Sequence, residues 1–245
     1  MKKKQEIFKQ VMQGRKKKIA QLIDPGKTSL KSLEKTIQLS DKAGIDFFFV
    51  GGSLTSFSID PVINTIKSIS STPVVLFPGN LLQLSDKADA LLLLSMISGR
   101  NPEFLIGNHV VAAPFLKKSG IEIIPTGYIL VENGKKTSVE YMSNTSPIPS
   151  GKCDIAAATA LAGELLGLKM IYLEAGSGAT NPVSDKMISE VKKNISVPLV
   201  VGGGIKNTEQ IKAVLSSGAD MVVVGTAFEE NPNLIIDFCK TVHSF

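Results

Sequence analysis

Short apolar runs alternate with longer amphipathic stretches along almost the whole chain. Residues 19–23, 46–50, 73–77, 90–95, 121–125 running on through 128–131, 170–173, 198–201 and 221–226 are strand-sized and apolar at nearly every position. Strands that alternate apolar and polar residues have one wet face; these do not, so they read as strands of a parallel sheet buried on both sides. Between them the period changes to that of a helix. Ser29 can cap a helix carrying Leu33, Ile37 and Leu39 up to Gly44, and a helix from Pro61 carries Ile63, Ile66 and Ile69 as a buried stripe. Further helices are predicted over 98–118, 155–168 (Ala-rich), 183–193, 207–217 and 228–242, and residues 1–16 read as an amphipathic helix with Ile7, Phe8, Val11 and Met12 on one face.

Eight such strands alternating with helices in 245 residues suit a closed (β/α)8 barrel, which typically takes about 250 residues. A doubly wound open sheet would place a glycine fingerprint after its first strand, and this chain has Asp24-Pro25-Gly26 there. One interval is irregular. Residues 80–89 separate the third and fourth strands, and a crossover with a full helix needs at least ~10–12 residues including its loops. The expectation is therefore a modified TIM barrel, one domain over 1–245, with the helix after strand 3 missing or shortened. The polar, Pro- and Ser-rich segment 132–151 reads as a loop long enough to be functional.

Composition changes the picture little. Twenty-seven basic against 22 acidic side chains leave a formal +5, much of it in Lys2-Lys3-Lys4 and Arg15-Lys16-Lys17-Lys18. These runs read as a solvated helix face; a surface that attracts phosphates, anionic lipid or nucleic acid is the sharper alternative. Cys153 and Cys239 have no ligand-like spacing and point to a reducing, cytoplasmic setting without a zinc site. No apolar run approaches the ~20 residues of a membrane-spanning helix.

Barrels carry their chemistry at the C-terminal ends of strands. Read in order, those ends are Asp24, Gly51-Gly52-Ser53, Pro78-Gly79, Ser98-Gly99-Arg100, Thr126-Gly127, Glu174 with Gly176-Ser177-Gly178, Gly202-Gly203-Gly204 and Gly225-Thr226. Gly203, Gly204, Gly225 and Thr226 suit a phosphate, because glycine lets backbone amides approach an oxyanion closely; a plain strand-to-helix turn is the simpler reading. Asp24 could hold Mg²⁺ that bridges substrate phosphates, or could close an Asx-turn with Pro25-Gly26. Ser53 beside two glycines suggests turn chemistry. Glu174, directly after Ile171-Tyr172-Leu173, is a carboxylate at the end of a buried strand: a general base toward a hydroxyl, or a structural acid paired with a lysine. Tyr172 could orient a hydroxyl or pack. His109 and His243 carry no catalytic signal.

Leu22-Ile23-Asp24-Pro25-Gly26-Lys27, Phe49-Val50-Gly51-Gly52-Ser53, Phe77-Pro78-Gly79, Tyr172-Leu173-Glu174-Ala175-Gly176-Ser177-Gly178, Val201-Gly202-Gly203-Gly204-Ile205 and Val224-Gly225-Thr226 follow one another in this order. Together, over nearly the whole chain, they resemble the geranylgeranylglyceryl phosphate synthase family, which includes bacterial heptaprenylglyceryl phosphate synthases. The resemblance implies a barrel lacking its third helix. It also implies a Mg²⁺-dependent prenyltransferase that joins a polyprenyl diphosphate, here expected to be geranylgeranyl diphosphate, to a hydroxyl of sn-glycerol 1-phosphate with loss of diphosphate.

By position, Asp24 and Ser53 resemble the Mg²⁺ site. Tyr172, Leu173, Glu174, Ala175, Gly176, Ser177 and Gly178, with Gly203, Gly204, Gly225 and Thr226, resemble the glycerol phosphate site. Glu174, with Tyr172, resembles the group that deprotonates the attacking hydroxyl. The prenyl tail needs an apolar groove, for which the space of the missing helix and the side chains Phe104, Leu105, Val111 and Phe115 are candidates. The resemblance further implies a homo-oligomer, dimer or hexamer, and no nucleic-acid partner. The alternatives from the residues themselves are another phosphate-binding barrel isomerase or synthase, and a barrel that only binds a phosphorylated ligand.

Overall fold

The computed structural model describes residues 6–12, 16–27, 29–55 and 58–245. The Lys2-Lys3-Lys4 run, Arg15, half of the predicted first helix and the Met12 side chain lie outside the described residues. Eight parallel strands close into a barrel in which each pairs with its sequence neighbours and β8 returns to β1. They are β1 (Lys18–Ile23), β2 (Phe47–Val50), β3 (Val74–Leu76), β4 (Ala90–Ser95), β5 (Glu122–Leu130), β6 (Met170–Glu174), β7 (Leu199–Gly202) and β8 (Met221–Val224). Around them run α1 (Ile7–Met12), α2 (Leu30–Ala43), α3 (Asp60–Ile69), α4 (Asn108–Ser119), α5 (Ser138–Ser143), α6 (Cys153–Leu165), α7 (Asp185–Asn194), α8 (Thr208–Ser216), α9 (Thr226–Glu230) and α10 (Leu234–His243).

The double burial of the strands creates two cores. Alternate residues point inward and outward, so Phe47 and Phe49 fill the barrel while Phe48 and Val50 face the helices. On β6 the same parity sends Tyr172 inward and Ile171 and Leu173 outward. Glu174, two residues beyond Tyr172, is thereby directed into the barrel mouth.

The opposite end is closed by α1, whose Ile7 is buried within the inner core and whose Phe8 and Val11 pack against it. Glu122 at the start of β5 accepts from the first amides of that helix, Ile7 N at 2.5 Å and Phe8 N at 3.1 Å. Acids just before β2, β4 and β8 do similar work. Asp46 takes Ile19 N and Lys18, Asp89 takes Val74 N and Lys67, and Asp220 takes Leu199 N, Lys17 and Lys192. Lys17 and Lys18, read from the sequence as part of a solvated basic run, are engaged here, away from the mouth.

Between β3 and β4 there is no crossover helix, only a 3-10 turn at Leu81–Gln83 capped by Asn80. The segment over 98–118 begins as a π-helical turn, Glu103–Gly107, and continues as α4 with Pro114 inside it. Three sequence expectations need correction. The loop 132–151 contains α5, whose N-cap Thr137 accepts from Glu140 N; its six residues are too few to display a helical period. The closing stretch is two helices, because Asn231-Pro232-Asn233 interrupts it. β8 ends at Val224, so Gly225 and Thr226 open α9 and do not extend the strand.

Candidate active site

Glu174 ends β6 and is 6% exposed. Burial lifts its carboxyl from an ordinary 4.5 to about 7, against the opposing pull of the Gly176 amide and the Tyr172 hydroxyl. The loop that follows folds back so that Gly176 N donates to Glu174 Oε1 at 2.6 Å. No lysine pairs with Glu174 among the described residues, which removes the structural ion-pair reading. The Tyr172 hydroxyl is close enough to influence Glu174, yet no protein atom meets it at hydrogen-bond geometry. It packs against Gly202, where an added Cβ would collide with it. Tyr172, Tyr128 and Phe77 form an aromatic floor, with Tyr172 5.4 Å from Tyr128 and 5.2 Å from Phe77 between ring centres. Burial and the nearby Glu174 carboxylate push both tyrosine hydroxyls well above their usual acidity range.

The exits of β6, β7 and β8 form an arc around this acid. Gly203 has φ +83° and lies so near Glu174 that a Cβ there would come 2.5 Å from Oε1 and 2.8 Å from Gly176 N. The backbone amides of Ser177, Gly178, Gly203, Gly204, Gly225 and Thr226 meet no acceptor among the described residues. All six residues line one cavity. The Ser177 hydroxyl lies 3.4 Å from Thr226 Oγ1, linking the ends of the arc. Unpaired backbone donors on residues that line one cavity are the makings of an oxyanion site.

The exits of β2 and β3 are also glycine-rich but differently arranged. Gln83, fully buried on the 3-10 turn, accepts from Gly52 N at 3.1 Å and Gly79 N at 3.2 Å and donates to Gly52 O at 2.6 Å. Nothing in the sequence pattern singled out this glutamine; only the turn that replaces a helix brings it to the rim. Asp24 closes its turn through Gly26 N at 2.9 Å, packs against Gly52 and stands 3.9 Å from Lys27. Asp24 and Ser53 line the same cavity as the amide arc.

That cavity, about 340 Å³, also carries Glu174, Glu229, Glu230, Lys27 and Lys206. It continues from the mouth past Leu81, Leu84, Leu93, Phe104, Ala112 and Leu116 into the space left by the missing helix. Val139, Met142 and Ser143 of the α5 segment line another part of it. Of the side chains expected along the groove, Phe104 lines it, but Leu105 does not, and Val111 and Phe115 are exposed on the far face of α4. The helical pattern could not reveal which face of α4 turns inward, because the helix is apolar nearly all round. Leu173 and Ala175, included with the glycerol phosphate site, turn their side chains into the outer core. His109 bonds to Leu94 O at 3.0 Å and lines the cleft, while His243 pairs with Asp46 far from it.

Eight parallel strands closed into a barrel, with the acid and the cavity at their C-terminal ends, make this a (β/α)8 barrel protein. The chain is a member of the PcrB family, matching it over residues 12–243. It is 52% identical to the geranylgeranylglyceryl phosphate synthase of Spirosoma linguale over 231 residues, covering 94% of this chain and 93% of the relative. The synthase of Pyrococcus horikoshii is 46% identical over 215 residues, 87% of this chain and 84% of the relative. Among solved structures, the (S)-3-O-geranylgeranylglyceryl phosphate synthase of Thermoplasma acidophilum in complex with substrate sn-glycerol-1-phosphate superposes with a TM-score of 0.92 at 31% identity, covering 100% of both chains. The wild-type GGGPS from Thermoplasma volcanium gives 0.91 at 35%, covering 98% of each.

Proposed function

We propose that this chain transfers a polyprenyl group from its diphosphate to a hydroxyl of sn-glycerol 1-phosphate, in the biosynthesis of ether phospholipids. One observation carries the reading: a buried acid poised near neutrality stands between an arc of free amides and an apolar cleft. The amide arc suits the phosphate of the small substrate, and the cleft suits a prenyl tail. The family membership and the glycerol-1-phosphate complex of the Thermoplasma acidophilum relative support it. An isomerase of small phosphates, or a barrel that only binds a phosphorylated ligand, has no use for such a cleft.

In this reading the glycerol oxygen attacks the allylic carbon, the new C–O bond forms, and the carbon–diphosphate bond breaks with its electron pair leaving on diphosphate. Glu174 takes the hydroxyl proton. Held by Gly176 N, its carboxylate is directed toward a hydroxyl anchored through the phosphate on the neighbouring arc. Phe77, Tyr128 and Tyr172 line the same cavity, and an aromatic lining suits positive charge building on the allylic carbon.

The donor set fits Mg²⁺ better than a caged metal. No group of three or more His, Cys, Asp or Glu converges among the described residues, whereas Mg²⁺ keeps waters and takes one or two carboxylates with substrate phosphates. Asp24 and Ser53 would hold it, and when bound it supplies positive charge for the departing diphosphate. The cavity carries four carboxylates, Asp24, Glu174, Glu229 and Glu230, against two lysines, Lys27 and Lys206. An anionic pair of substrates therefore needs added positive charge there.

Geranylgeranyl diphosphate is the expected donor. A homo-oligomer, dimer or hexamer, belongs to the same reading, and the exposed Ile155, Leu165 and Leu166 along α6 and just beyond it are surface it could cover. No helix among the described residues is long and apolar enough to cross a membrane; a cytoplasmic enzyme with two free, buried cysteines fits this. The test is incubation with sn-glycerol 1-phosphate, prenyl diphosphates of several lengths and Mg²⁺. A prenyl ether product is expected, and its absence at every length would overturn the proposal.

A further inference from the structure

Lys27 lies between the two sides of the barrel mouth, and its surroundings differ from those of the lysines at the closed end. Its backbone is fixed by the Asp24 turn, through Gly26 N on Asp24 Oδ1 at 2.9 Å and Lys27 N on Asp24 O at 3.1 Å. The side chain is half-exposed and reaches back over the cavity. Its ammonium donates to Ser177 Oγ at 3.3 Å, with Glu229 Oε2 at 3.7 Å and Asp24 Oδ2 at 3.9 Å. These are the longest ion pairs among the described residues; Lys18–Asp46, Lys67–Asp89 and Lys192–Asp220 close at 3.0, 2.7 and 2.6 Å. An ammonium has three donors to place, and here the one acceptor within hydrogen-bond distance is a neutral hydroxyl. That hydroxyl, on Ser177, belongs to the amide arc and touches Thr226 at its other end. Asp24, on the opposite flank, belongs to the rim where the diphosphate is placed.

We infer that Lys27 is a further substrate-positioning residue, a cation that spans the two anion subsites and holds the glycerol phosphate and the prenyl diphosphate in register. The inference rests on the reaction proposed above. Without ligands the ammonium is held loosely by two carboxylates and a hydroxyl. When anions fill both subsites, it donates to the phosphate on the Ser177 side and to the diphosphate on the Asp24 side. A lysine suits this because its donors rotate on a flexible stem.

The test uses the full chain and binding rather than turnover alone. Inorganic phosphate, and separately inorganic diphosphate with Mg²⁺, are titrated calorimetrically into wild type, Lys27→Met and Lys27→Arg. Lys27→Met is expected to lose on the order of tenfold in affinity for each anion, since hydrogen bonds to charged groups are among the stronger ones. Lys27→Arg should recover most of the loss, KM for both substrates should rise in Lys27→Met, and its melting temperature should match wild type, because loose exposed pairs add little stability. Wild-type affinity for both anions in Lys27→Met would overturn the inference and leave the proposed reaction standing. A wild type that binds neither anion would overturn both.

Discussion

Two arcs of small residues ring the same barrel mouth, and they are built for opposite ends. On one side, Gly52 and Gly79 have their amides taken by Gln83, and Gly51 is pressed against Phe77 O and the same glutamine. On the other, the amides of Ser177, Gly178, Gly203, Gly204, Gly225 and Thr226 meet no acceptor among the described residues, and all six residues line the cavity. Composition does not separate them, since both are glycine-rich at strand exits. What separates them is whether the fold supplies an internal partner. A glycine whose amide is satisfied is there for close packing; one whose amide is free in a cavity is available to a ligand.

The largest effect that would sharpen the contrast lies at the free arc's acid. Glu174→Gln should lower kcat by about 10²–10⁴-fold, the usual range for a general base, and leave glycerol 1-phosphate affinity within about threefold, or about 0.7 kcal/mol. A parallel loss of affinity would make Glu174 a binding group. The same variant should also be more stable at high pH. Below about 4.5 the folded and unfolded wild type both carry the proton; above about 7 both have lost it, and the fold bears the full cost of a buried charge. Wild type should therefore lose about 3 kcal/mol of stability as pH rises between those values, and Glu174→Gln should not. Denaturant titrations of both proteins at pH 4.5 and 8 check this.

Next come the two arcs themselves. Gly203→Ala places a Cβ on a backbone with φ +83° and against Glu174 Oε1; a destabilisation of about 1–3 kcal/mol is expected, with loss of glycerol 1-phosphate binding. Gln83→Leu strands the Gly52 and Gly79 amides and Gly52 O, again at about 1–3 kcal/mol, but here the glycerol 1-phosphate affinity of the folded protein should hold. If calorimetry gave the two variants the same binding phenotype, the distinction between the arcs would fail. The smallest effect is expected at Val111. Val111→Ser on the outer face of α4 should change stability by less than about 0.5 kcal/mol and leave prenyl diphosphate KM unchanged, whereas Leu116→Phe, inside the cleft, should raise that KM.

Much of the barrel was legible because double-sided burial writes itself into the strands as unbroken apolar runs. The missing crossover helix showed as an interval too short to hold one, and the structure has only the Leu81–Gln83 turn there. Glu174 stood out because an acid at the end of a buried strand needs a reason, and strand parity then turned it inward. Three features were illegible for physical reasons. Gln83 gains its role from a tertiary position that no local pattern encodes. The α5 segment is too short and polar to show a period, yet it roofs the cleft and sets Thr137 against Gly176. The inward face of α4 was ambiguous because Val111 and Phe115 are as apolar as the Ala112 and Leu116 that face the cleft.

The most direct test of the difference between the arcs is to follow the backbone amide resonances of the isotope-labelled protein while sn-glycerol 1-phosphate is added. The amides of Ser177, Gly178, Gly203, Gly204, Gly225 and Thr226 should move with a common saturation curve, while Gly52 and Gly79 stay in place. Shifts centred on Gly52 and Gly79, or none at the free amides at saturation, would contradict the assignment of the glycerol phosphate to the β6–β8 side of the mouth.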